Sequence, residues 1–346
     1  MIEELIRTWD GDHVVAHFDR RSGAWMFICV HSRLRGPAGG GTRMKTYPAP
    51  ADALSDAMRL SAAMTVKMAV ADLPFGGGKA VLAVPDVPSG PERTVLLHRY
   101  AEVVASLGGD FHTGPDVNTS PADMDVIGER CPYVYCRTQA RGGSGDPGPY
   151  TARGVFHGIQ STLRDVFGTS DLAGRAVLVQ GAGDVGAPLA RLLAEAKARV
   201  LISDVAGARA DALADEIGAG VVSPESALDV DCDVYAPCAL GGTLSASTIP
   251  RLRCRIVAGS ANNQLAGAGD AELLRRAGIR YAPDFVINAG GALNAIATES
   301  LGWSRETTDE RLAGIGDTLA EIYAMADADG VTTEAAAQRL AQARLS

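Results

Sequence analysis

"RAVLVQGAGDVGAPLARLLAEAKARVLISD", from Arg175 to Asp204, is the stretch that decides the fold. "RAVLVQ" is an apolar run of strand type, "GAGDVG" a glycine turn and "APLARLLAEAKA" a helix. "RVLISD" is a second strand, and it ends on Asp204. This βαβ unit predicts a parallel α/β sheet of Rossmann type. Gly181, Gly183 and Gly186 have GxGxxG spacing, which alone is a weak signal in a glycine-rich chain. Here a strand precedes it, a helix follows it, and an acidic residue closes the next strand. That context suits a dinucleotide: a tight turn, close approach to pyrophosphate, a helix N-terminus for its charge, and a carboxylate for ribose hydroxyls. Asp204 repels a 2′-phosphate, so NAD is expected in preference to NADP.

The rest of the chain bounds the answer. Its 346 residues suffice for two domains, and 47% hydrophobic with 21% charged residues is ordinary for a globular protein. A net charge of −9 argues against a nucleic-acid binder. "MIEELIRTWD" has no continuous apolar segment, and the longest uncharged run, 234–250, is broken by Gly, Ser and Pro. No CxxC or HExxH occurs, which argues against structural zinc and a disulfide framework. The expectation is a cytoplasmic protein with reduced thiols, no metal and no membrane partner. Cys238 reads as a small buried residue.

The first half is mixed α/β. "WMFICVHS" (25–32) and "KAVLAV" (79–84) read as strands, and 51–67 as a helix with Asp52 and Asp56 placed early for its dipole. Ser89, with Pro91 and Glu92, starts another helix, and Ser120 with Pro121 starts the next. "ARGGSGDPGPY" (140–150) is the candidate hinge, with a helix from Thr151 to Phe167 after it.

"LPFGGGKAVL" (73–82) runs three glycines into Lys79. It is not a phosphate loop, because Leu73 and Ala80 stand where that motif needs Gly and Ser or Thr. A plain glycine turn with a solvated lysine at a strand's mouth stays open. Lys67, Lys79 and Asp116 each sit in apolar or glycine-rich surroundings, where an isolated charge is costly. One lysine could fix a carboxylate, while a crowded second lysine with a lowered pKa acts as acid or base.

"GGGTRMKTY", "AMTVKMAVADLPFGGGKAVL", "TGPDVNT", "DVYAPCALGG", "GSANNQL" and "YAPDFVINAGGALN" together resemble the Glu/Leu/Phe/Val amino-acid dehydrogenases, closest to the phenylalanine type. The resemblance implies NAD-dependent reversible oxidative deamination of an L-amino acid to the 2-oxo acid, ammonia and NADH. It implies that Lys67 holds the substrate carboxylate, that Lys79 activates water, and that Asp116 shuttles protons. Gly39, Gly40, Met64, Gly114, Asn262, Asn288, Ala292 and Ala295 are implied on the substrate side. Arg43, Ser144, Thr151, Gly181, Ala182, Gly183, Asp184, Val185, Gly186, Asp204, Ala239, Leu240, Ala261 and Asn262 are implied on the cofactor side. The glycines before Lys79 are expected to let substrate and cofactor approach the backbone. The expected organisation is a substrate and oligomerisation domain over 1–148 and a Rossmann domain over 149–300. Helices over 301–346 are expected to pack back on the first domain, with a cleft between the two domains. Family members are homo-oligomers.

Leucine-type members carry larger residues at Gly39, Gly114, Ala292 and Ala295, so four smaller walls point to an aromatic side chain. A branched-chain substrate is the alternative, if other residues close in. A 2-hydroxy-acid dehydrogenase would need a catalytic histidine, and the histidines lie outside these motifs. A non-catalytic NAD-binding regulator would not need Lys67, Lys79 and Asp116.

Overall fold

A computed structural model describes residues 2–345. The chain divides into two compact units. The first comprises Met1–Asp146, Ala295–Gly302 and Ala341–Ser346; the second comprises Pro147–Asn294 and Trp303–Leu340.

The first unit contains α1 (Ile2–Trp9), β1 (His13–Asp19), β2 (Ala24–Ser32), β3 (Ala38–Lys45), α2 (Pro50–Val70) and β4 (Gly76–Ala83). α3 (Gly90–Ala105), β5 (Phe111–Pro115) and α4 (Pro121–Gly128) follow. Its five strands form a mixed sheet in the order β1-β2-β4-β3-β5. β2 runs antiparallel to β1 and β4, whereas β3 runs parallel to β4 and β5. Alternation along β4 sorts its side chains between two faces. Ala80 and Leu82 join a core with Leu96, Tyr100, Met124 and Ile127 of α3 and α4. Val81 joins Phe27, Cys29, Leu54 and Met58 under α2, and Lys79 shares that face.

The helix starts follow from local chemistry. Pro50 opens α2, and Asp52 accepts a hydrogen bond from the Ala49 N–H at 3.1 Å. Ser120 caps α4, and Asp123 accepts from its N–H at 2.8 Å. Asp56 is not a dipole residue; it is engaged by side chains, as described below.

β4 begins at Gly76, three residues before the strand expected from the sequence. The glycines are therefore inside the sheet, and their role differs from the expected one. A Cβ on Gly76 would lie 1.9 Å from Ser32 O, on Gly77 2.1 Å from Thr65 N, and on Gly78 2.7 Å from Phe111. They admit β2, α2 and a core ring, respectively; packing accounts for all three.

The second unit starts with α5 (Gly148–Phe167) and continues β6 (Ala176–Gln180), α6 (Gly186–Glu195), β7 (Arg199–Ser203), α7 (Gly207–Ile217) and β8 (Gly220–Val221). Next come β9 (Val234–Pro237), β10 (Ile256–Val257), α8 (Asp270–Arg276), β11 (Arg280–Tyr281), α9 (Asp284–Ile287) and α10 (Gly290–Ile296). The sheet is parallel throughout, in the order β11-β10-β9-β6-β7-β8. The chain thus runs outwards from β6 in both directions, which is the Rossmann order. Leu178, Tyr235, Val257, Leu274 and Tyr281 form its core on one face.

α10 continues into a π-helical turn, Ala297–Leu301, whose residues group with the first unit. α11 (Arg305–Asp329) and α12 (Thr333–Leu345) end the described chain. Of the C-terminal helices expected on the first domain, α11 groups instead with the second unit, whereas the end of α12, from Ala341, groups with the first, where Arg35 Nη1 donates to Arg344 O at 2.6 Å. α11 lies on α5, with Thr162 Oγ1 2.7 Å from Tyr323 OH and Ser161 Oγ donating to Gly316 O at 2.6 Å. Gly154 and Gly158 of α5 leave room for Ile315 and Leu319, so helix-on-helix packing holds α11 in the second unit.

Candidate active site

In the first unit, register aligns the site residues on one face of the sheet. Gly39 pairs with Gly77 on one side and His112 on the other; two residues along, Gly41 pairs with Gly114, and Lys79 pairs with Cys29. Lys79 is 6% exposed in its side chain and lies 3.0 Å from Asp116 Oδ1. Arg43 donates through Nε to the other oxygen of Asp116 at 2.8 Å, and through Nη1 to Asp56 at 3.0 Å. Asp56 also accepts from Tyr47 OH at 2.7 Å and from Arg59 at 2.7 Å. Thr119 Oγ1 accepts from the Asp116 N–H at 2.8 Å and donates to Thr42 O at 2.8 Å, which fixes the turn after β5.

Charge follows from this packing. Burial lowers the pKa of Lys79, and the nearby Arg43 cation adds to that, against the pull of Asp116. Burial opposes the charge on Asp116, yet Lys79 and Arg43 outweigh it and hold the carboxyl well below the usual carboxylate range. The site therefore joins a permanent carboxylate to an amine that gives up its proton more readily than a solvated lysine. That combination can relay protons. The solvated-lysine reading is excluded, since Lys79 lies within a strand under α2.

Lys67 occupies the last turn of α2, half-buried, with Met64 one turn before it. The substrate-side glycines separate by what surrounds them. A Cβ on Gly39 would lie 3.1 Å from Met68 Cε and 3.6 Å from Phe75; on Gly40, 1.8 Å from Gly78 O. A Cβ on Gly114 would meet only Tyr135, at 4.0 Å. Gly114 is thus the open position, Gly39 is filled by α2, and Gly40 is pressed against β4.

Ser144 was expected at the cofactor. Its hydroxyl and N–H both donate to Glu299, at 2.5 and 2.9 Å, and Glu299 also accepts from the Cys136 N–H at 2.8 Å. The π-helical turn thereby holds the 136–144 loop, with Ser300 also bonded to Tyr135 OH. Arg43, another expected cofactor residue, directs its guanidinium to Asp116 and Asp56. Sequence reasoning missed Asp56, Tyr47, Met68, Phe75 and Glu299; only Asp56 carried a signal, an acid early in a helix.

In the second unit, the glycine turn joins β6 to α6. Gly181 has φ +104°, a conformation that favours glycine, and a Cβ there would strike Ala239 at 2.9 Å. A Cβ on Gly186 would strike Gly181 O at 1.8 Å, whereas one on Gly183 would meet no protein atom within 4 Å. The middle glycine keeps the approach open, next to exposed Asp184 and half-buried Val185 at the start of α6. Asp204 accepts from the N–H groups of Ala182 and Ala206 at 2.7 and 2.8 Å, and Arg209 lies 3.8 Å away. Leu240 is 78% exposed in the loop after β9. Ala261 donates its N–H to Pro237 O at 2.9 Å, and Thr151 Oγ1 donates to Pro147 O at 3.0 Å.

Asn288 donates to Asn262 Oδ1 at 2.9 Å and to Ser260 O at 3.1 Å, so these two expected residues come together. Its own Oδ1 is buried with no hydrogen-bond partner among the described residues, a reserved acceptor for a bound N–H. The open Gly183 face and this acceptor fit a nicotinamide dinucleotide. Ala292 and Ala295 lie three apart on α10 and share a face. Among the described residues no acidic, His and Cys group is placed to hold a metal, and no helix is long and apolar enough to cross a membrane.

Comparison with known proteins agrees with both halves. The family described as "Glu/Leu/Phe/Val dehydrogenase, dimerisation domain" matches residues 17–133. "Glutamate/Leucine/Phenylalanine/Valine dehydrogenase" matches 142–212 and 209–346. The chain is 40% identical to a leucine dehydrogenase of Thermoactinomyces intermedius, over 99% of this chain and 93% of that protein. It is 40% identical to an L-tryptophan dehydrogenase of Nostoc punctiforme, over 100% of this chain and 96% of that protein. A valine dehydrogenase of Streptomyces albus is 38% identical, with 100% and 96% covered. The crystal structure of L-tryptophan dehydrogenase from Nostoc punctiforme superposes with TM-score 0.83 at 38% identity, covering 99% of this chain and 98% of that one.

Proposed function

The chain belongs to the Glu/Leu/Phe/Val dehydrogenase family and is an NAD-dependent amino-acid dehydrogenase, and from that premise we propose that its substrate is a hydrophobic L-amino acid, aromatic in preference. The observation that carries the chemistry is the buried contact of 3.0 Å between Lys79 and Asp116. Lys67 holds the substrate carboxylate. Lys79, its amine kept available by burial, takes the proton of the attacking water and then, as ammonium, steadies the developing oxyanion. Asp116 passes protons to and from the substrate nitrogen, and Arg43 keeps it ionised. Bound NAD supplies the acceptor for the hydride leaving the α-carbon. The turn at Gly181, Gly183 and Gly186, together with Asp204, holds the dinucleotide, and Asn288 offers its unpaired oxygen to it. The products are the 2-oxo acid, ammonia and NADH.

The aromatic preference rests on the open Gly114 position and on the small residues Ala292 and Ala295. A branched-chain preference has one observation in its favour, the filling of the Gly39 side by Met68. The names of the relatives span both kinds of side chain. The protein is further proposed to be a cytoplasmic homo-oligomer. The test is ammonium-dependent NADH oxidation with phenylpyruvate, indolepyruvate, 4-methyl-2-oxopentanoate and 3-methyl-2-oxobutanoate. Leading kcat/KM for the aromatic acids supports the reading; leading values for the branched acids replace it with the alternative.

A further inference from the structure

The sequence leaves β3 without a side chain at Gly39, yet the space there is taken. The terminal methyl of Met68 lies 3.1 Å from where a Gly39 Cβ would stand, with the Phe75 ring 3.6 Å from the same point. Both side chains are buried, at 3% and 5% exposure. Met68 follows Lys67 directly on α2 and sits one turn beyond Met64. The proposed carboxylate anchor and this wall are thus borne by one rigid helical turn, and Met64, three residues before Lys67 and four before Met68, neighbours both. Methionine is unbranched and polarizable, and it adapts its torsions to what it contacts.

We propose that Met68 is a specificity-determining residue whose thioether stands in for the side chain absent at Gly39 as an adjustable wall. Branched aliphatic substrates pack against it as it lies. Aromatic ones are admitted by rotation of its terminal bonds and extend towards the open position at Gly114. This rests on the amino-acid dehydrogenase reading above.

The experiment is the ratio of kcat/KM for phenylpyruvate to that for 4-methyl-2-oxopentanoate in the parent and four variants. Met68→Ala removes the wall and is expected to raise the ratio about tenfold, the scale of one to two methylenes in an apolar pocket. Met68→Ile keeps the volume but is stiff, and is expected to lower the ratio about tenfold. Gly39→Leu forces Met68 aside and should lose turnover of both acids. Gly39→Leu/Met68→Ala should recover turnover of the branched acid, giving strong non-additivity. Ratios within twofold of the parent in both single Met68 variants would overturn the proposal, as would strictly additive effects in the cycle. Should Met68→Ala fail to fold, the isovolumetric Met68→Ile decides alone. A parent inactive with every oxo acid defeats the underlying reading instead, and that outcome is distinct from an active parent with an unmoved ratio.

Discussion

Lys79 on β4 and Asp116 in the turn after β5 stand 3.0 Å apart although β3 lies between their strands, and Arg43 of that middle strand grips the far oxygen of Asp116. The carboxylate thus bridges two cations. Asp116→Asn breaks both bridges at once and leaves Lys79 facing Arg43 unshielded, which lowers the lysine pKa further. Turnover is expected to fall by at least about 10²-fold. NADH affinity, measured by fluorescence titration, should change by less than about twofold, because Asp116 belongs to the first unit.

A second expectation concerns pH. The lysine amine works as a base only when unprotonated, and burial lowers its pKa from 10.5. The rate of deamination should therefore rise along an alkaline limb that lies below 10.5 and vanishes in Lys79→Arg, whose charge is permanent. Retention of that limb in the arginine variant, at measurable activity, would assign it to another group.

Glu334 in α12 gives a stability counterpart. Burial, aided by the nearby Asp284 charge, raises its pKa from 4.5 to about 7. The folded state then binds a proton that the unfolded state releases, so stability is lost as pH climbs from about 4.5 to 7. Glu334→Gln has no proton to lose. It should match the parent near pH 4 and exceed it above pH 7 by about 1–3 kcal/mol, read by urea unfolding at both pH values.

Gly77 faces backbone, since a Cβ there would stand 2.1 Å from Thr65 N. Gly77→Ala must push α2 off the sheet and is expected to cost at least about 2 kcal/mol in chemical denaturation. Thr65 also bonds His31 Nδ1 at 2.8 Å, so the displacement would reach β2.

Cofactor choice can be tested at Asp204. Removing its charge in Asp204→Ser leaves the exposed guanidinium of Arg209 as the local charge. The ratio of kcat/KM for NADP to that for NAD should rise about tenfold or more. An unchanged ratio would show that Asp204 serves only its two backbone hydrogen bonds.

What could be read from the chain before folding depended on distance along it. The βαβ unit, the Ser120 cap and the helix start at Ser89 are local, so their residues announce them. Asp52 and Asp56 look alike in sequence, yet one caps a helix and the other receives Arg43, because the difference lies in which strand α2 crosses. The side chain missing at Gly39 read as a widened wall; Met68, 29 positions later, takes up that room. Glu299 offered no signal at all, as its three donors lie in a loop some 155–163 positions earlier. The unit to which α11 belongs was hidden for the same reason, since the glycines that receive it are on α5.

The three glycines of β4 each answer to a different neighbour, which makes the segment intolerant of length changes. Deleting any one of Gly76, Gly77 and Gly78 advances Lys79 by one step and turns its ammonium to the opposite side, among Leu82, Tyr100 and Met124. An insertion does the same from the other direction. Point substitutions can be graded in severity, but a frame of this kind is all or nothing: the spacing between the glycines and the lysine is as much a part of the proposed catalytic apparatus as the lysine itself.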